Sequence, residues 1–166
     1  MRVVVLGIGN LLMSDEGIGV HAVAALQRRF ILPDTVEVVD GGTTGMELLP
    51  DLQGASHLIV VDAVRVGKPP GSVLRLEGDE VPAFFKTKLS PHQVGLSDVL
   101  AALRFSGNAP DHVVLIGVQP VSLDLKMELS PQVAACMDQV LDLVTAELAA
   151  IGCPAQARSS CYDSNA

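Results

Sequence analysis

Three short apolar runs near the start of the chain constrain its fold more than any other feature of the sequence. They lie at residues 2–7, 35–40 and 58–62, and segments with helical spacing separate them. An uninterrupted run of aliphatic and β-branched residues is typical of a strand buried on both faces of a parallel sheet. Because helices alternate with these strands, the pattern predicts right-handed crossovers and helices on both faces of the sheet.

The middle of the chain predicts two further strands and one irregular segment. Residues 71–76 alternate between polar and apolar side chains and predict an edge strand that runs antiparallel, whereas residues 113–117 predict the last buried strand. Residues 79–96 contain Pro82 and Pro91, which suggests an extended surface segment that leads into a helix ending near Phe105. Ser90-Pro91 and Ser97-Asp98 are both possible starts of this helix.

The last helix is predicted to begin at Ser130-Pro131, an N-cap residue followed by a proline, and to end before Pro154. The residues beyond it are small and polar, so we expect one domain over residues 1–154 and a disordered C-terminal tail over residues 155–166. The predicted fold class is α/β. It is a single-domain three-layer α/β/α sandwich with a mostly parallel twisted sheet of about five strands, one of them an antiparallel edge strand.

The composition excludes several classes of partner. A chain of 166 residues is the size of one domain. Its net charge is −8 and it contains no run of basic residues that could follow a phosphate backbone, so we expect no nucleic acid partner. No apolar stretch is long enough to cross a bilayer, so we expect no membrane partner either. The three cysteines form neither a disulfide framework nor a CxxC pattern, and we expect no leader segment because the first residues predict a strand. We therefore expect a cytoplasmic monomer.

Acidic residues follow each of the first three predicted strands. Asp15 and Glu16 lie in the loop after the first strand, Asp40 ends the second and Asp62 ends the third. Parallel strands place their carboxyl ends at one edge, where clustered acids repel one another unless a cation joins them. With His92 as the nitrogen partner, Glu16 and Asp62 suit a divalent metal such as nickel, iron or zinc.

Each of these residues also has a structural explanation, which the pattern leaves open. Glu16 could complement a helix dipole, Asp62 could cap a turn, and His92 could be a solvated loop residue. We expect Asp62 and His92 to lie at an exposed edge of the sheet rather than in the core.

Other kinds of active site are disfavoured by the motifs. Gly7-Ile-Gly9 is followed by Leu12 where a dinucleotide-binding loop needs its third glycine. The chain contains neither a phosphate-binding P-loop nor the G-x-S-x-G sequence of serine hydrolases. Cys136 is predicted to lie within the last helix as a small packed residue, so a cysteine nucleophile is not expected.

Five motifs in a fixed order connect the chain with a known family. They are Gly7-Ile-Gly-Asn10 with Asp15-Glu-Gly-Ile-Gly19, Asp40-Gly-Gly-Thr-Thr-Gly45, Asp62, Ser90-Pro-His-Gln-Val-Gly95 and Gly117-Val-Gln-Pro120. In these motifs the chain resembles the maturation endopeptidases of nickel-iron hydrogenases, and the resemblance extends over residues 2 to 150.

The resemblance implies an activity, a substrate and a set of site residues. Members of that family remove a C-terminal extension from the hydrogenase large-subunit precursor after nickel insertion, and their fold is a twisted sheet between helices. By matching motifs, Glu16, Asp62 and His92 would contact the metal, and the segment from Asp40 to Thr43 would take part in recognition and cleavage. The resemblance further implies that the nickel is supplied by the substrate precursor rather than held by the resting protease.

This yields a mechanistic hypothesis and two alternatives. As an aspartyl-type endopeptidase the chain would use Asp40 and Asp62 as its catalytic residues, with either the metal or Asp40 activating a water molecule. Backbone amides of residues 41–45 could stabilise the oxyanion. The alternatives are a non-catalytic metal-binding chaperone or carrier, and a nicotinamide-dependent dehydrogenase.

Overall fold

The computed structural model describes residues 1–87 and 91–159, with side chains described for residues 1–85 and 95–159. Five strands form the main sheet in the order β3-β1-β4-β6-β5, and two short strands, β2 and β7, pair separately. The strands are β1 (Val3–Ile8), β2 (Phe30–Ile31), β3 (Val36–Gly42), β4 (His57–Ala63), β5 (Val73–Glu77), β6 (His112–Val118) and β7 (Gln156–Ala157).

Helices connect the strands and cover both faces of the sheet. The helices are α1 (Ile18–Arg29), α2 (Leu49–Leu52), α3 (Glu80–Thr87), α4 (Pro91–Phe105), α5 (Pro131–Ala134) and α6 (Met137–Ala150). Single 3₁₀ turns at Ser14–Gly17 and Met46–Leu48 precede α1 and α2. Strand β1 is parallel to β3 and β4, and β4 is parallel to β6, whereas β5 runs antiparallel to β6 at the edge. The predicted fold class is therefore confirmed, including its antiparallel edge strand.

Alternate residues of β1 point into two separate apolar layers. Val3 and Val5 pack with residues of α1 and α6, while Val4 and Leu6 pack with residues of α2, α3 and α4. All six residues of β1 are buried. Full burial of an aliphatic side chain contributes about 1.5–3 kcal/mol, so the central strand holds both helical layers against the sheet.

The segment around residues 79–96 differs in part from its prediction. Its first part was expected to be extended but forms α3, whereas α4 begins at Pro91, the first of the two expected starts, and ends at Phe105 as expected. Residues 88–90 lie outside the described residues. Pro82 lies in the first turn of α3 and Pro91 is the first residue of α4, and a proline at such positions removes no hydrogen bond that the helix needs. Val81 and Phe85, four residues apart, are both fully buried and anchor α3 on the sheet.

The C-terminal third also differs in detail from the sequence prediction. The Ser130 hydroxyl accepts a hydrogen bond from the Val133 amide, as expected of an N-cap, but the helix is interrupted after Ala134 and resumes at Met137. Strand β7 lies within the segment expected to be a disordered tail, where it pairs with β2. Regular pairing therefore continues past residue 154. No helix in the part of the chain that the structure describes is long and apolar enough to cross a membrane.

Candidate functional site

The carboxyl ends of the four parallel strands lie at one edge of the sheet, and the predicted site residues lie there. Gly7 of β1 is paired with Asp40 of β3 on one side and with Val61 of β4 on the other. Asp62 is paired with Gly117 of β6. We call this edge of the sheet, where the carboxyl ends of the strands lie, the carboxyl edge. In open α/β sheets ligands bind there.

Glycines allow α1 to approach this edge without a gap. A Cβ atom at Gly7 would lie 2.2 Å from the carbonyl oxygen of Gly19, and one at Gly19 would lie 2.1 Å from the carbonyl oxygen of Val61. Real Cβ atoms do not come so close to backbone oxygens, so a side chain at either position would separate helix from sheet. The two glycine-containing motifs therefore serve one packing contact between α1, β1 and β4.

Asp62 is fully buried, which corrects the expectation of an exposed edge position. The first turn of α1 lies against the carbonyl of the preceding residue, Val61. On the other side the Val64 side chain packs over Gly117 of β6. A Cβ atom at Gly117 would lie 2.4 Å from a methyl group of Val64. These contacts fix the backbone of β4 on both sides of Asp62, and a rigid backbone suits a ligand or catalytic group.

Glu16 lies in the 3₁₀ turn that follows β1, and its side chain is only partly exposed. Its amide donates a hydrogen bond to the carbonyl oxygen of Met13. Gly9, at a φ of +134°, lets the carbonyl of Glu16 approach to 1.9 Å from the position a Cβ atom would occupy. Glycine is required there both by the backbone conformation and by the close contact.

Asp40 lies two residues before the end of β3 and is exposed to solvent. Its carboxylate accepts a hydrogen bond of 3.0 Å from the amide of Gly42, which has a φ of +50°. The strand pairing shifts by one residue here, because Gly7 pairs with Asp40 but Ile8 pairs with Gly42. This irregularity ends the regular strand and turns the chain into the loop at residues 41–45.

The loop at residues 41–45 is stabilised by its own amides. The Thr44 amide and hydroxyl both donate to the carbonyl of Gly41, and the Gly45 amide donates to the Glu47 carboxylate at 3.0 Å. Hydrogen bonds from the Glu47 and Gly45 amides lower the pKa of Glu47. The amides at positions 42, 44 and 45, which were considered as oxyanion donors, therefore already have acceptors within the chain.

His92 lies in the first turn of α4 rather than in an irregular segment, and its side chain lies outside the described residues. The backbone of this helix touches the loop described above. A Cβ atom at Gly95 would lie 2.9 Å from the Cα atom of Gly45. Helix α4 therefore begins next to the residues that follow Asp40.

Within the described side chains, no group of three His, Cys, Asp or Glu residues is arranged to hold a metal ion. The structure places the carboxylates of Glu16 and Asp62 at the same edge as Asp40, whereas His92 of the predicted triad is described by its backbone only. Two carboxylates and one imidazole form a donor set that suits nickel, iron or zinc.

Asp15 was noted in the acidic cluster but not expected to have a structural role of its own. It is fully buried, and its carboxylate accepts four hydrogen bonds from Val121, Ser122 and Ser130. In the sequence its neighbour Glu16 is equally plausible as the buried acid. The only sequence signal for this role of Asp15 was the N-cap at Ser130, because its hydroxyl group has a proton to donate. Nothing in the sequence connects Ser130 with Asp15.

Exposed apolar side chains surround this edge. Leu12, Val121, Leu125 and Met127 are 57%, 44%, 87% and 60% exposed, and we call these four the apolar rim. Met13 and Lys126 form an isolated parallel bridge, which brings the two segments that carry the rim together. The four side chains are therefore exposed on two neighbouring segments of the chain.

His21 of α1 lies beside the apolar rim, with its Nε2 atom 3.1 Å from the carbonyl oxygen of Met127, whereas the other described histidines and cysteines are outside the site. His57 and His112 lie side by side at the opposite edge, with ring centroids 4.8 Å apart. Cys136 and Cys153 are buried thiols, and burial raises the pKa of Cys136. A thiol that is buried and protonated is a poor nucleophile.

The chain matches a known family over most of its length. Residues 20–147 match the family described as hydrogenase maturation protease. The chain is 49% identical over 164 residues to the hydrogenase 2 maturation protease of Escherichia coli strain K12, covering 98% of this chain and 100% of that protein. It is 45% identical over 159 residues to the hydrogenase expression/formation protein HupD of Thiocapsa roseopersicina, covering 95% of this chain and 72% of the relative.

The fold is likewise similar to a solved structure. The hydrogenase maturating endopeptidase HybD from E. coli superimposes with a TM-score of 0.93 at 50% sequence identity, over 95% of this chain and 98% of that chain.

Proposed function

The chain belongs to the hydrogenase maturation protease family and is a peptidase, and we propose that it removes the C-terminal extension of a nickel-iron hydrogenase large-subunit precursor after nickel has been inserted. The observation that carries this proposal is that Glu16 and Asp62 lie at the same carboxyl edge as Asp40, whose loop contacts α4 through Gly45 and Gly95. A non-catalytic carrier would need the metal-binding groups but not the neighbouring acid on an exposed strand end.

The metal belongs to the substrate in this proposal. Glu16, Asp62 and His92 would contact the nickel that the precursor carries, and so would recognise a precursor that is ready for cleavage. The three residues come from the turn after β1, the end of β4 and the start of α4. Their donor types suit nickel, since carboxylate oxygen and imidazole nitrogen both bind borderline divalent cations.

Asp40 is the candidate general base. Peptide hydrolysis without a serine or cysteine nucleophile requires a water molecule to lose a proton as it attacks the carbonyl carbon. Asp40 is exposed, lies two residues before the end of β3, and is oriented by the Gly42 amide at 3.0 Å. It would accept that proton and return it to the leaving amine. Asp62, which is buried, would hold its orientation throughout.

The substrate is a polypeptide, and the apolar rim supports this part of the proposal. Leu125 is 87% exposed and lies in the segment that follows β6 at the carboxyl edge. A peptide bound there would bury apolar surface worth about 25 cal/mol per Å². The net charge of −8 and the few aromatic residues do not favour a nucleic acid in its place.

We propose in addition that the protein acts as a monomer in the cytoplasm. The thiols of Cys136 and Cys153 are unpaired, as in proteins of reducing compartments. Size-exclusion chromatography with light scattering measures the assembly state, and fractionation of cells measures the location.

One incubation tests the proposed activity. Nickel-loaded precursor is mixed with the purified protein, and the large subunit is followed by gel mobility and intact mass. We expect a shortened large subunit with nickel-loaded precursor and an unchanged one with nickel-free precursor. Binding of the precursor without any shortening would instead favour the carrier function, and saturable binding of NAD would favour a dehydrogenase.

A further inference from the structure

The carboxylate of Asp15 connects two segments that are more than a hundred residues apart in sequence. Its Oδ2 atom accepts hydrogen bonds from the amides of Val121 (2.8 Å) and Ser122 (2.9 Å) and from the hydroxyl of Ser130 (2.7 Å). Its Oδ1 atom accepts from the Ser130 amide at 2.7 Å. The side chain is fully buried, so all four bonds are shielded from water.

Backbone contacts hold the same turn in place. The Asp15 amide donates to the carbonyl of Ser122 at 3.1 Å, and the Ser14 amide donates to the carbonyl of Lys126 at 2.7 Å. The Ser14 hydroxyl donates to the carbonyl of Glu128. Ser14 has a φ of +50°, a left-handed conformation that is strained for a residue other than glycine. Surrounding contacts must maintain that strain.

All four partners of the Asp15 carboxylate are donors, so this position requires a group that only accepts. An asparagine of the same shape would present an NH₂ group to amides and a hydroxyl that donate.

Glu16 is the next residue in the same 3₁₀ turn. We infer that Asp15 is a positioning residue, which clamps the Glu16 turn to residues 119–130, and that precursor cleavage depends on it through Glu16. This inference rests on the proposed function, because it takes Glu16 to contact the substrate. Asp15 itself touches only protein groups, and the same clamp sets the place of Val121 in the apolar rim.

The test must separate positioning from general stability. Asp15→Asn, Glu16→Ala and the double variant are compared with Leu148→Ala, a fully buried residue of α6 whose loss lowers the melting temperature without touching the clamp. All proteins are assayed for kcat/KM on nickel-loaded precursor, well below their melting temperatures. Ser130→Ala, which removes one of the four bonds, is the milder variant if Asp15→Asn does not fold.

We expect Asp15→Asn to lower kcat/KM by about tenfold or more, and Leu148→Ala to stay within about twofold of wild type. The double variant should be no slower than Glu16→Ala alone, because residues that act through one another are not additive. The inference is overturned if the losses of kcat/KM in Asp15→Asn and Glu16→Ala multiply in the double variant. It is also overturned if Asp15→Asn loses no more kcat/KM than Leu148→Ala.

Amide hydrogen exchange decides the inference even if the proposed function fails. In Asp15→Asn the amides of Glu16, Val121, Ser122 and Ser130 should exchange faster than in wild type or in Leu148→Ala. Unchanged exchange at these amides overturns the inference whatever the wild type does to the precursor. A wild type that leaves nickel-loaded precursor intact, with faster exchange in the variant, overturns the proposed function and supports the clamp.

Discussion

Asp15 and Glu16 are neighbours in the chain, yet their surroundings differ in kind. Asp15 is fully buried and accepts four hydrogen bonds, whereas Glu16 is partly exposed. Each acid alone is equally compatible with a ligand, a cap or a solvated position. The difference arises from residues 119–130, which contribute every donor to Asp15.

A conservative change at Asp62 should separate chemistry from folding. Asp62→Asn keeps the shape of a fully buried side chain and removes its charge. We expect the rate of precursor cleavage to fall by at least about a hundredfold, because a lost metal ligand should cost more than a lost residue that only orients a ligand. The circular dichroism spectrum should be unchanged. We expect the same of His92→Ala.

The matched control for Asp62→Asn is Asp111→Asn, an exposed aspartate next to the opposite edge of the sheet. It should cleave like wild type. Cleavage by Asp62→Asn at the wild-type rate would remove that residue from the proposed site.

The paired histidines predict a pH dependence of stability. Burial, and then the charge of the neighbouring His112, lower the pKa of His57. Because the unfolded chain then binds this proton more readily than the folded protein, the free energy of unfolding should fall as the pH drops below about 6.5. Urea unfolding at pH 7.5 and 5.5 measures the effect. His57→Gln should lose less stability over this range than wild type, and an equal loss in both proteins would contradict the assignment.

At the scale of elements, the contact of α1 with β1 and β4 determines the geometry of the carboxyl edge. Gly19 belongs to the first turn of α1, and its Cα lies against the carbonyl groups of Ile8 and Val61. At this residue helix propensity favours alanine over glycine, whereas the close packing against the sheet requires glycine.

Gly19→Ala should consequently destabilise the protein although it favours the isolated helix. A Cβ atom there would lie 2.1 Å and 2.4 Å from two backbone oxygens, and overpacking of this kind costs about 1–3 kcal/mol or more. The measurement is the free energy of unfolding in urea. Ala24→Gly, on the exposed side of the same helix, is the control and should cost about 1 kcal/mol from propensity alone. A Gly19→Ala protein as stable as wild type would contradict the packing argument.

Strand β7 makes a second prediction at this scale. A chain that ends at Pro154 loses the pairing of β7 with β2 and the bond from the Arg158 amide to the carbonyl of Arg29 (2.9 Å). Each hydrogen bond contributes about 1 kcal/mol, which corresponds to a melting temperature lower by about 2–4 °C per bond in a domain of this size. A chain that ends at Ser159 is the control. Identical melting temperatures for both truncations would show that β7 adds no stability.

At the scale of the whole molecule, the candidate ligands come from three separate parts of the fold. Glu16 follows β1, Asp62 ends β4 and His92 begins α4. A resident zinc site in a protease usually has two of its ligands on one helix in an H-E-x-x-H pair, which this chain lacks. Because the three candidate ligands lie on separate segments, we expect the protein alone to bind a metal ion weakly.

We therefore expect the purified protein to carry little metal. Treatment with a chelator, followed by removal of the chelator, should leave cleavage of nickel-loaded precursor unchanged, and nickel-free precursor should resist cleavage. Elemental analysis and the two cleavage assays measure this. Stoichiometric zinc, with activity lost on stripping and restored by zinc, would contradict the substrate-metal mechanism while leaving the three ligand assignments in place.

The sequence by itself determined the α/β class, the antiparallel edge strand and the edge at which Glu16, Asp40 and Asp62 meet. These follow from local patterns, because an apolar run forms a strand wherever both its faces are covered, and parallel strands must end on the same side. The family motifs also follow from the sequence.

Only the tertiary structure decided which acids are buried and what holds them. The structure buries Asp62 completely, and the clamp at Asp15 depends on donors from Val121, Ser122 and Ser130. Helix α3, in the part expected to be extended, packs Val81 and Phe85 into an apolar layer built by distant strands. Such contacts join residues far apart in sequence, so no local pattern contains them.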